Sequence, residues 1–160
     1  MKKDKTTNIL FCGTGGQGVL SAAEICGWAA VNAGYHVKKS EVHGMAQRGG
    51  SVESHLRFGS EVHSPLIPAG RVDFLVAFHK DEEARLRHLL SPDGVDLVDS
   101  LDAARKAVPD RRFVNIYLLG VLSRSLPFDE ASWTQAIGHV LANKRTQENL
   151  EIFFKGRGEK

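Results

Sequence analysis

Asn8-Ile9-Leu10-Phe11-Cys12 followed by Gly13-Thr14-Gly15-Gly16-Gln17-Gly18 constrains this chain more than any other stretch, because it joins a buried strand to a helix through a glycine-rich turn. Gly13, Gly15 and Gly18 satisfy the Gly-x-Gly-x-x-Gly spacing, which tightens such a turn, brings backbone close to a ligand and packs helix against strand. Amides at the start of the helix carry partial positive charge and favour a phosphate or carboxylate. The same glycines equally serve a purely structural turn, and the two readings stand side by side. Val19-Leu20-Ser21 follows where a triphosphate-binding loop needs Gly-Lys-Ser/Thr, which argues against that loop. A nicotinamide site wants an acid at the end of the second strand. That strand is expected over Tyr35 to Lys39 and ends in Lys38-Lys39-Ser40, with Glu41 only beyond it. The match is poor, although the lysines suit a 2′-phosphate.

At 160 residues, 42% hydrophobic and 25% charged, the chain reads as one compact domain over 1–160, with 1–7 and 156–160 expected to fray. No apolar run approaches the roughly 20 residues that span a bilayer. A formal net charge of +2 gives no broad basic field, so neither nucleic acid nor membrane is expected as a partner. Lys2, Lys3 and Lys5 are not followed by a hydrophobic leader segment, which points to a cytoplasmic protein. Cys12 and Cys26 form no Cys-x-x-Cys and read as small buried hydrophobes. The seven histidines are scattered, so no metal site is expected.

Strand and helix patterns alternate along the chain. Gly16 to Ala33 reads as a helix stopped by Gly34, and Ser51 to Phe58 as a strand of strict period two. Asp73 to Phe78 is a nearly continuous apolar strand. Asp81 to Leu90 reads as a helix, Ser91-Pro92-Asp93-Gly94 as a turn, and Val95 to Val98 as a short strand. Leu101 to Ala107 is a helix, Phe113-Val114 the end of a last strand, and Tyr117 to Ser125, Asp129 to Leu141 and Thr146 to Phe154 are helices. Helices between strands imply crossovers, hence an α/β fold: a single three-layer, Rossmann-like domain with a mostly parallel sheet and helices on both faces.

The second informative stretch is Ser40-Glu41-Val42-His43-Gly44-Met45-Ala46-Gln47-Arg48-Gly49-Gly50. It lacks periodicity and forms a long connection mixing acid, imidazole, amide and guanidinium groups. In a parallel sheet it leaves from the same edge as the glycine turn, so Gly15 to Gly18 and His43 to Arg48 can line one crevice. Arg48 offers a planar fork for carboxylate or phosphate, and Gln47 a neutral donor and acceptor. The plainer alternative is a surface loop in which Arg48 pairs with Glu41.

The glycine turn through Leu20, together with Lys38-Lys39-Ser40-Glu41-Val42-His43-Gly44-Met45-Ala46-Gln47-Arg48-Gly49-Gly50-Ser51-Val52, resembles the gamma subunit of 2-oxoacid:ferredoxin oxidoreductases. Within that group the likeness is to the beta subunit of indolepyruvate:ferredoxin oxidoreductase. Ser64-Pro65-Leu66-Ile67, Asn115 with Leu119-Gly120, and Glu148-Asn149-Leu150 with Phe153 and Gly156 extend it over nearly the whole chain. The resemblance implies a complex that oxidatively decarboxylates a 2-oxoacid to an acyl-CoA and passes electrons to ferredoxin. In it thiamine diphosphate, iron–sulfur clusters and CoA do the chemistry.

The chain has no Gly-Asp-Gly segment of the kind that opens a thiamine-diphosphate motif and no cysteine set for a cluster, so these cofactors are expected on a catalytic partner subunit and the isolated chain is expected to be inactive. No catalytic residue is assigned here. Gly13, Gly15, Gly16, Gln17, Gly18, Glu41, His43, Gln47 and Arg48 are candidates for anion or substrate binding, or for an interface. The competing reading is a free-standing nucleotide-binding oxidoreductase or sensor on the same fold.

Elsewhere, His55 and His63 read as surface groups, and Arg57 as either an exposed cross-strand partner or a subunit contact. Asp73 reads as a local cap. Trp28, Trp133, Phe153 and Phe154 fit helix packing, with Phe153 and Phe154 also able to anchor another subunit.

Overall fold

The computed structural model describes residues 4–44, 49–142 and 144–158. The apolar run at the start forms β1 (Thr7–Thr14), which sits in the middle of a five-stranded sheet and is buried along nearly its whole length. After the glycine turn comes α1 (Val19–Asn32), and then β2 (His36–His43) and β3 (Ser51–Gly59). β4 (Val72–Ala77) leads into α2 (Lys80–Leu86), a 3-10 turn (Arg87–Leu89) and β5 (Leu90–Asp96). Four helices complete the chain: α3 (Asp99–Ala107), α4 (Val114–Ser123), α5 (Glu130–Val140) and α6 (Thr146–Arg157).

The strand order is β2-β3-β1-β4-β5. β1 pairs in parallel with β4, and β4 with β5, whereas β3 runs antiparallel to both β1 and β2. Four strands therefore point one way and β3 alone is reversed, so the expected mostly parallel sheet holds with one strand inverted. β2 and β3 form a hairpin, and for that reason they need no crossover helix between them.

The two faces of the sheet are covered unequally. Ile9, Phe11, Leu56, Phe58 and Val76 pack with α1, α3, α4, α5 and α6 in the larger core. Leu10, Cys12, Leu75 and Ala77 pack with Leu86 of α2 and with Ile67 in the smaller one. Alternating residues of β1 thus feed opposite cores, as strand geometry requires.

Several expectations are corrected. Phe113-Val114 is not a strand. Asp110 accepts the Arg112 amide at 2.9 Å and caps a 3-10 turn (Arg111–Phe113) that runs straight into α4. Ser91-Pro92-Asp93-Gly94 does not separate helix from strand but lies inside β5. There Val72 faces Leu90 and Phe74 faces Val95, so those four residues bulge outward opposite Asp73. An edge position tolerates Pro92 for the same reason.

β2 continues to His43, placing Glu41 and His43 on a strand rather than in a loop. Residues 156 and 157 do not fray, because α6 extends through them, and Thr7 is the first residue of β1 rather than a frayed end. His55 is buried, not superficial: its Nδ1 accepts the Ile67 amide at 3.2 Å and its Nε2 lies 3.4 Å from Glu53. Arg57 braces the fold, donating to Asn8 Oδ1 at 2.8 Å and to the Ser64 carbonyl at 2.8 Å. Asp73 acts locally as expected, accepting the Asn8 amide at 2.8 Å. Trp133 and Phe153 are fully buried, which leaves Phe153 no surface with which to anchor another subunit, while Trp28 is 39% exposed and packs edge-on to His139.

Candidate functional site

The turn between β1 and α1 is built by the two ends of one amide side chain. Gln17 Oε1 accepts the Thr14 amide at 2.8 Å, and Gln17 Nε2 donates to the Phe78 carbonyl at 3.0 Å, tying the turn to the end of β4. Gln17 is therefore committed to the scaffold rather than presented to a ligand. Gly13 must lack a side chain, since a Cβ there would sit 2.7 Å from Gln17 Oε1 and 2.9 Å from Val19 Cγ2. Gly18 adopts φ 76° as the cap of α1, and Asn115 Nδ2 donates to its carbonyl at 3.1 Å. No side chain caps this helix and its first turn holds no acid, so the amides of its first turn remain available to an anion.

Gly15 and Gly16 differ from what ligand approach alone would demand. A Cβ at Gly15 would make ordinary contact with the Gly49 amide nitrogen at 3.5 Å, whereas Gly16 stands in open space with φ 89°. Among the described residues, alanine at Gly15 would meet only ordinary contacts, whereas at Gly16 it would be strained by the positive φ.

The long connection does reach the glycine turn. The Gly15 amide donates to the Gly50 carbonyl at 3.0 Å, and the Gly44 amide to the Ser51 carbonyl at 2.6 Å. His43 shares a cleft of about 430 Å³ with Thr14, Gly16, Ser21 and Val52. Among the described residues, a lysine and a histidine lie beside Glu41. Its carboxylate takes Lys39 Nζ at 3.0 Å and lies 3.8 Å from His43 Nε2. Gln47 and Arg48 lie outside the described residues.

Beneath the connection, Ser51 Oγ donates to Glu82 Oε1 at 3.0 Å, and Arg85 bridges Glu82 at 2.6 Å and Glu53 at 2.9 Å. The hydrogen bond from His55, with help from Arg85, holds the Glu53 carboxyl below the ordinary glutamate range against the effect of its burial. Burial, reinforced by the nearby Glu82 carboxylate, pushes the Cys12 thiol up to about 12, so it stays protonated and unreactive.

The opposite wall went unrecognised in the sequence. Two further clefts, of about 460 and 490 Å³, flank Gly16 and Gln17. Arg105, Arg111, Arg112, Lys144 and Arg145 line them, on α3, on the 3-10 turn and at the start of α6. Asn149 Nδ2 donates to the Lys144 and Arg145 carbonyls at 3.1 and 3.0 Å, holding the left-handed turn at Arg145. Arg112 bonds to Asp110 at 2.8 Å and keeps that carboxyl ionised, with its pKa lowered to about 2. The adjacent pairs Arg111-Arg112 and Lys144-Arg145 are the signal a net charge of +2 conceals.

Uncapped helix amides beside a rim of cations, at the carboxyl edge of a mainly parallel sheet, give an α/β domain whose glycine turn opens onto a positively charged cleft. A dinucleotide arrangement does not fit, because the reversed β3 lies between β1 and β2, so the second strand is not the neighbour of β1 from which an acid would reach the ribose. The chain belongs to the pyruvate ferredoxin/flavodoxin oxidoreductase family, whose profile matches residues 8–159.

It is 36% identical over 142 residues to the indolepyruvate oxidoreductase subunit IorB of Archaeoglobus fulgidus, a match over 84% of this chain and 70% of that protein. It is 45% identical over 91 residues to IorB of Thermococcus kodakarensis, a match over 57% of this chain and 45% of that protein. The chain thus spans about half the length of the first curated relatives it matches. The fold matches the gamma subunit of a keto/oxoacid ferredoxin oxidoreductase from Geobacter sulfurreducens with a TM-score of 0.76 at 22% identity, covering 94% of this chain and 95% of that one. It also matches 31% of a 2-oxoglutarate:ferredoxin oxidoreductase chain from Magnetococcus marinus, with a TM-score of 0.80 at 19% identity over 97% of this chain.

Proposed function

We propose that this chain is the non-cofactor-bearing subunit of a 2-oxoacid:ferredoxin oxidoreductase of indolepyruvate, pyruvate or ketoisovalerate type, working in the cytoplasm beside a catalytic subunit. The observation that carries this reading is the glycine turn with free helix amides, bonded through Gly15 to the Gly50 carbonyl and faced by five cationic side chains, in a chain of this family. Iron–sulfur ligation does not fit the residues present: the two thiols belong to opposite cores of the sheet, and among the described residues no metal-ligating cluster occurs. Thiamine diphosphate and the clusters are accordingly assigned to the companion, which supplies the carbanion and electron-transfer chemistry.

A phosphate-bearing group does fit. The α1 amides and the basic rim would receive the phosphates of CoA, while His43 and Arg48 would face the substrate side of the same crevice. The likeness in fold to a 2-oxoglutarate:ferredoxin oxidoreductase with 2-oxoglutarate, CoA and succinyl-CoA bound supports CoA as the anion. Among the described residues no helix is long and apolar enough to cross a membrane.

The test is reconstitution with the companion subunit. Arg48→Ala should lower 2-oxoacid-dependent ferredoxin reduction by far more than it lowers the melting temperature, because the sequence puts it in a polar, glycine-rich connection, where an arginine adds little stability. Lysine should rescue incompletely, since it keeps the charge and loses the fork. Unchanged turnover in Arg48→Ala would remove the connection from the active site, and activity or iron–sulfur absorbance in the isolated chain would overturn the assignment of cofactors.

A further inference from the structure

Among the described residues β2 is an open sheet edge, and its sequence is complementary to itself. It is the terminal strand of the sheet, and its ladder with β3 is regular from His36 to His43. The Gly44 amide bonds the Ser51 carbonyl, which fixes the alternation. Even-numbered residues of β2 bond to β3, and Val37, Lys39, Glu41 and His43 turn their backbone groups to the free edge. Such an edge is a template for another strand unless something blunts it.

We propose that this edge receives the β2 strand of a second copy of the chain, antiparallel, about a two-fold axis through Ser40. A two-fold axis perpendicular to the sheet keeps the same face up in both copies, so each residue must meet a partner of its own parity. Centring the axis on Lys38 or Lys39 sets lysine against lysine, and centring it on Glu41 sets carboxylate against carboxylate; like charges directly opposite are destabilising. Among the central positions Lys38 to Glu41, which keep most of β2 paired, only Ser40 avoids this. Lys39 then faces Glu41 of the second copy on both sides of the axis, Val37 faces His43, and Lys38 faces Val42. In that register the outward-turned backbone groups of Lys39 meet those of Glu41 as hydrogen-bonded pairs, and the two Ser40 residues form the close, non-hydrogen-bonded pair.

The surface beside the strand agrees. Lys39 and Val37 lie on the α1 side, where they border an apolar groove of about 250 Å³ with Trp28 and Val31. Trp28 and Val31 are 39% and 46% exposed, unusual for large apolar side chains on a helix that buries its other face. Extending the sheet across the axis carries both α1 helices to the same side, flanking it, so the two grooves are brought toward one another. The Lys38-Lys39 pair thereby acts as a filter: it repels the wrong registers and favours one.

The register makes the test sharp. In Ser40→Cys the central pair has Cα atoms about 4.5 Å apart, within disulfide range. Mild oxidation should therefore convert the full chain to a covalent dimer, and the buried Cys12 and Cys26 do not compete. By sedimentation equilibrium from about 1 to about 500 µM, spanning ordinary weak association, the unmodified chain should move from monomer to twice its mass. Glu41→Lys and Lys39→Glu should each weaken association by about tenfold or more, and the Lys39→Glu/Glu41→Lys double swap should restore it to within about threefold.

A chain that stays monomeric over that range, or a double swap no better than the single variants, overturns the proposal. So does a Ser40→Cys chain that cross-links to the companion subunit of the co-expressed complex rather than to its own copy.

Discussion

Asn115 Nδ2 donates to the Gly18 carbonyl at 3.1 Å, and a Cβ built on Gly18 would overlap that same nitrogen. One side chain on α4 therefore both satisfies the turn and excludes any residue but glycine from it. Asn115 is buried, and its Oδ1 accepts the Ile116 amide at 2.9 Å, which locks the amide orientation.

Gly18→Ala should cost about 3 kcal/mol, combining about 1–2 kcal/mol for the left-handed conformation with the overlap. Asn115→Ala should cost about 1–2 kcal/mol for the lost bond. The double variant should fall short of the sum by about 1 kcal/mol or more, because truncating Asn115 removes the overlap. Urea denaturation of the four proteins measures this, and strict additivity would show that the contact is not the constraint.

The crossing of α4 and α6 gives a prediction of opposite signs. A Cβ at Gly120 would run into the Phe153 carbonyl, and one at Gly156 into the Tyr117 carbonyl, so each helix meets the backbone of the other where it lacks a side chain. Gly120→Ala and Gly156→Ala should each destabilise by about 3 kcal/mol or more, since backbone cannot step aside as a side chain can. Gly138 in α5 has nothing within 4 Å of its would-be Cβ and no positive φ, so Gly138→Ala should stabilise by about 0.5–1 kcal/mol. Thermal and urea melts of the three variants check both signs.

Much of this was legible in the sequence. β1, the glycine turn, α1 and the period-two pattern of β3 followed from local chemistry, and the meeting of His43 with the turn followed from which sheet edge each segment leaves. The reversal of β3 did not, because alternation states that one face is buried and says nothing of strand direction. Pro92-Asp93-Gly94 has turn chemistry, and the chain does turn there, but as a bulge inside an edge strand. Phe113-Val114 misleads as an apolar pair because the decisive residue is Asp110, whose carboxylate starts a helical turn three residues earlier. The basic rim showed in the sequence only as the separate pairs Arg111-Arg112 and Lys144-Arg145, because its members come from three segments brought together only by folding.

Asp96 should make stability fall as pH rises through the mildly acidic range. Burial, and then the neighbouring Glu83 carboxyl, push its pKa from the ordinary 3.8 up to about 6. A carboxyl whose folded pKa is raised favours the fold while protonated, so its contribution is complete below about 4 and lost as pH rises through about 6. Asp96 is partly open to solvent, which screens the effect to about 1 kcal/mol. Asp96→Asn keeps an acceptor for the Val98 amide that now bonds Asp96 at 2.9 Å. It should therefore be about 1 kcal/mol more stable than the parent at pH 8 and nearly equal to it at pH 4.5. Chemical denaturation at the two pH values decides, and a constant difference would assign the shift to another group.

The basic rim and the helix amides can be told apart by their response to charge. Asp110 is ionised at any physiological pH, being held near 2 by Arg112, and so places a negative charge beside the cleft that Arg111 and Arg112 line. If CoA phosphates enter this cleft, Arg111→Ala should weaken CoA binding by about five- to tenfold through loss of one charge-assisted contact. Asp110→Asn should tighten it by about two- to threefold by removing repulsion. Both effects should shrink as salt is raised, because these groups are exposed to screening. The share due to the α1 amides should survive better, lying deeper in the turn. Isothermal titration of the reconstituted complex with CoA at low and high ionic strength measures all three. Equal affinities in the parent, Arg111→Ala and Asp110→Asn at low salt would exclude Arg111 and Asp110 from the CoA site and move the assignment to the glycine turn and the connection that follows β2.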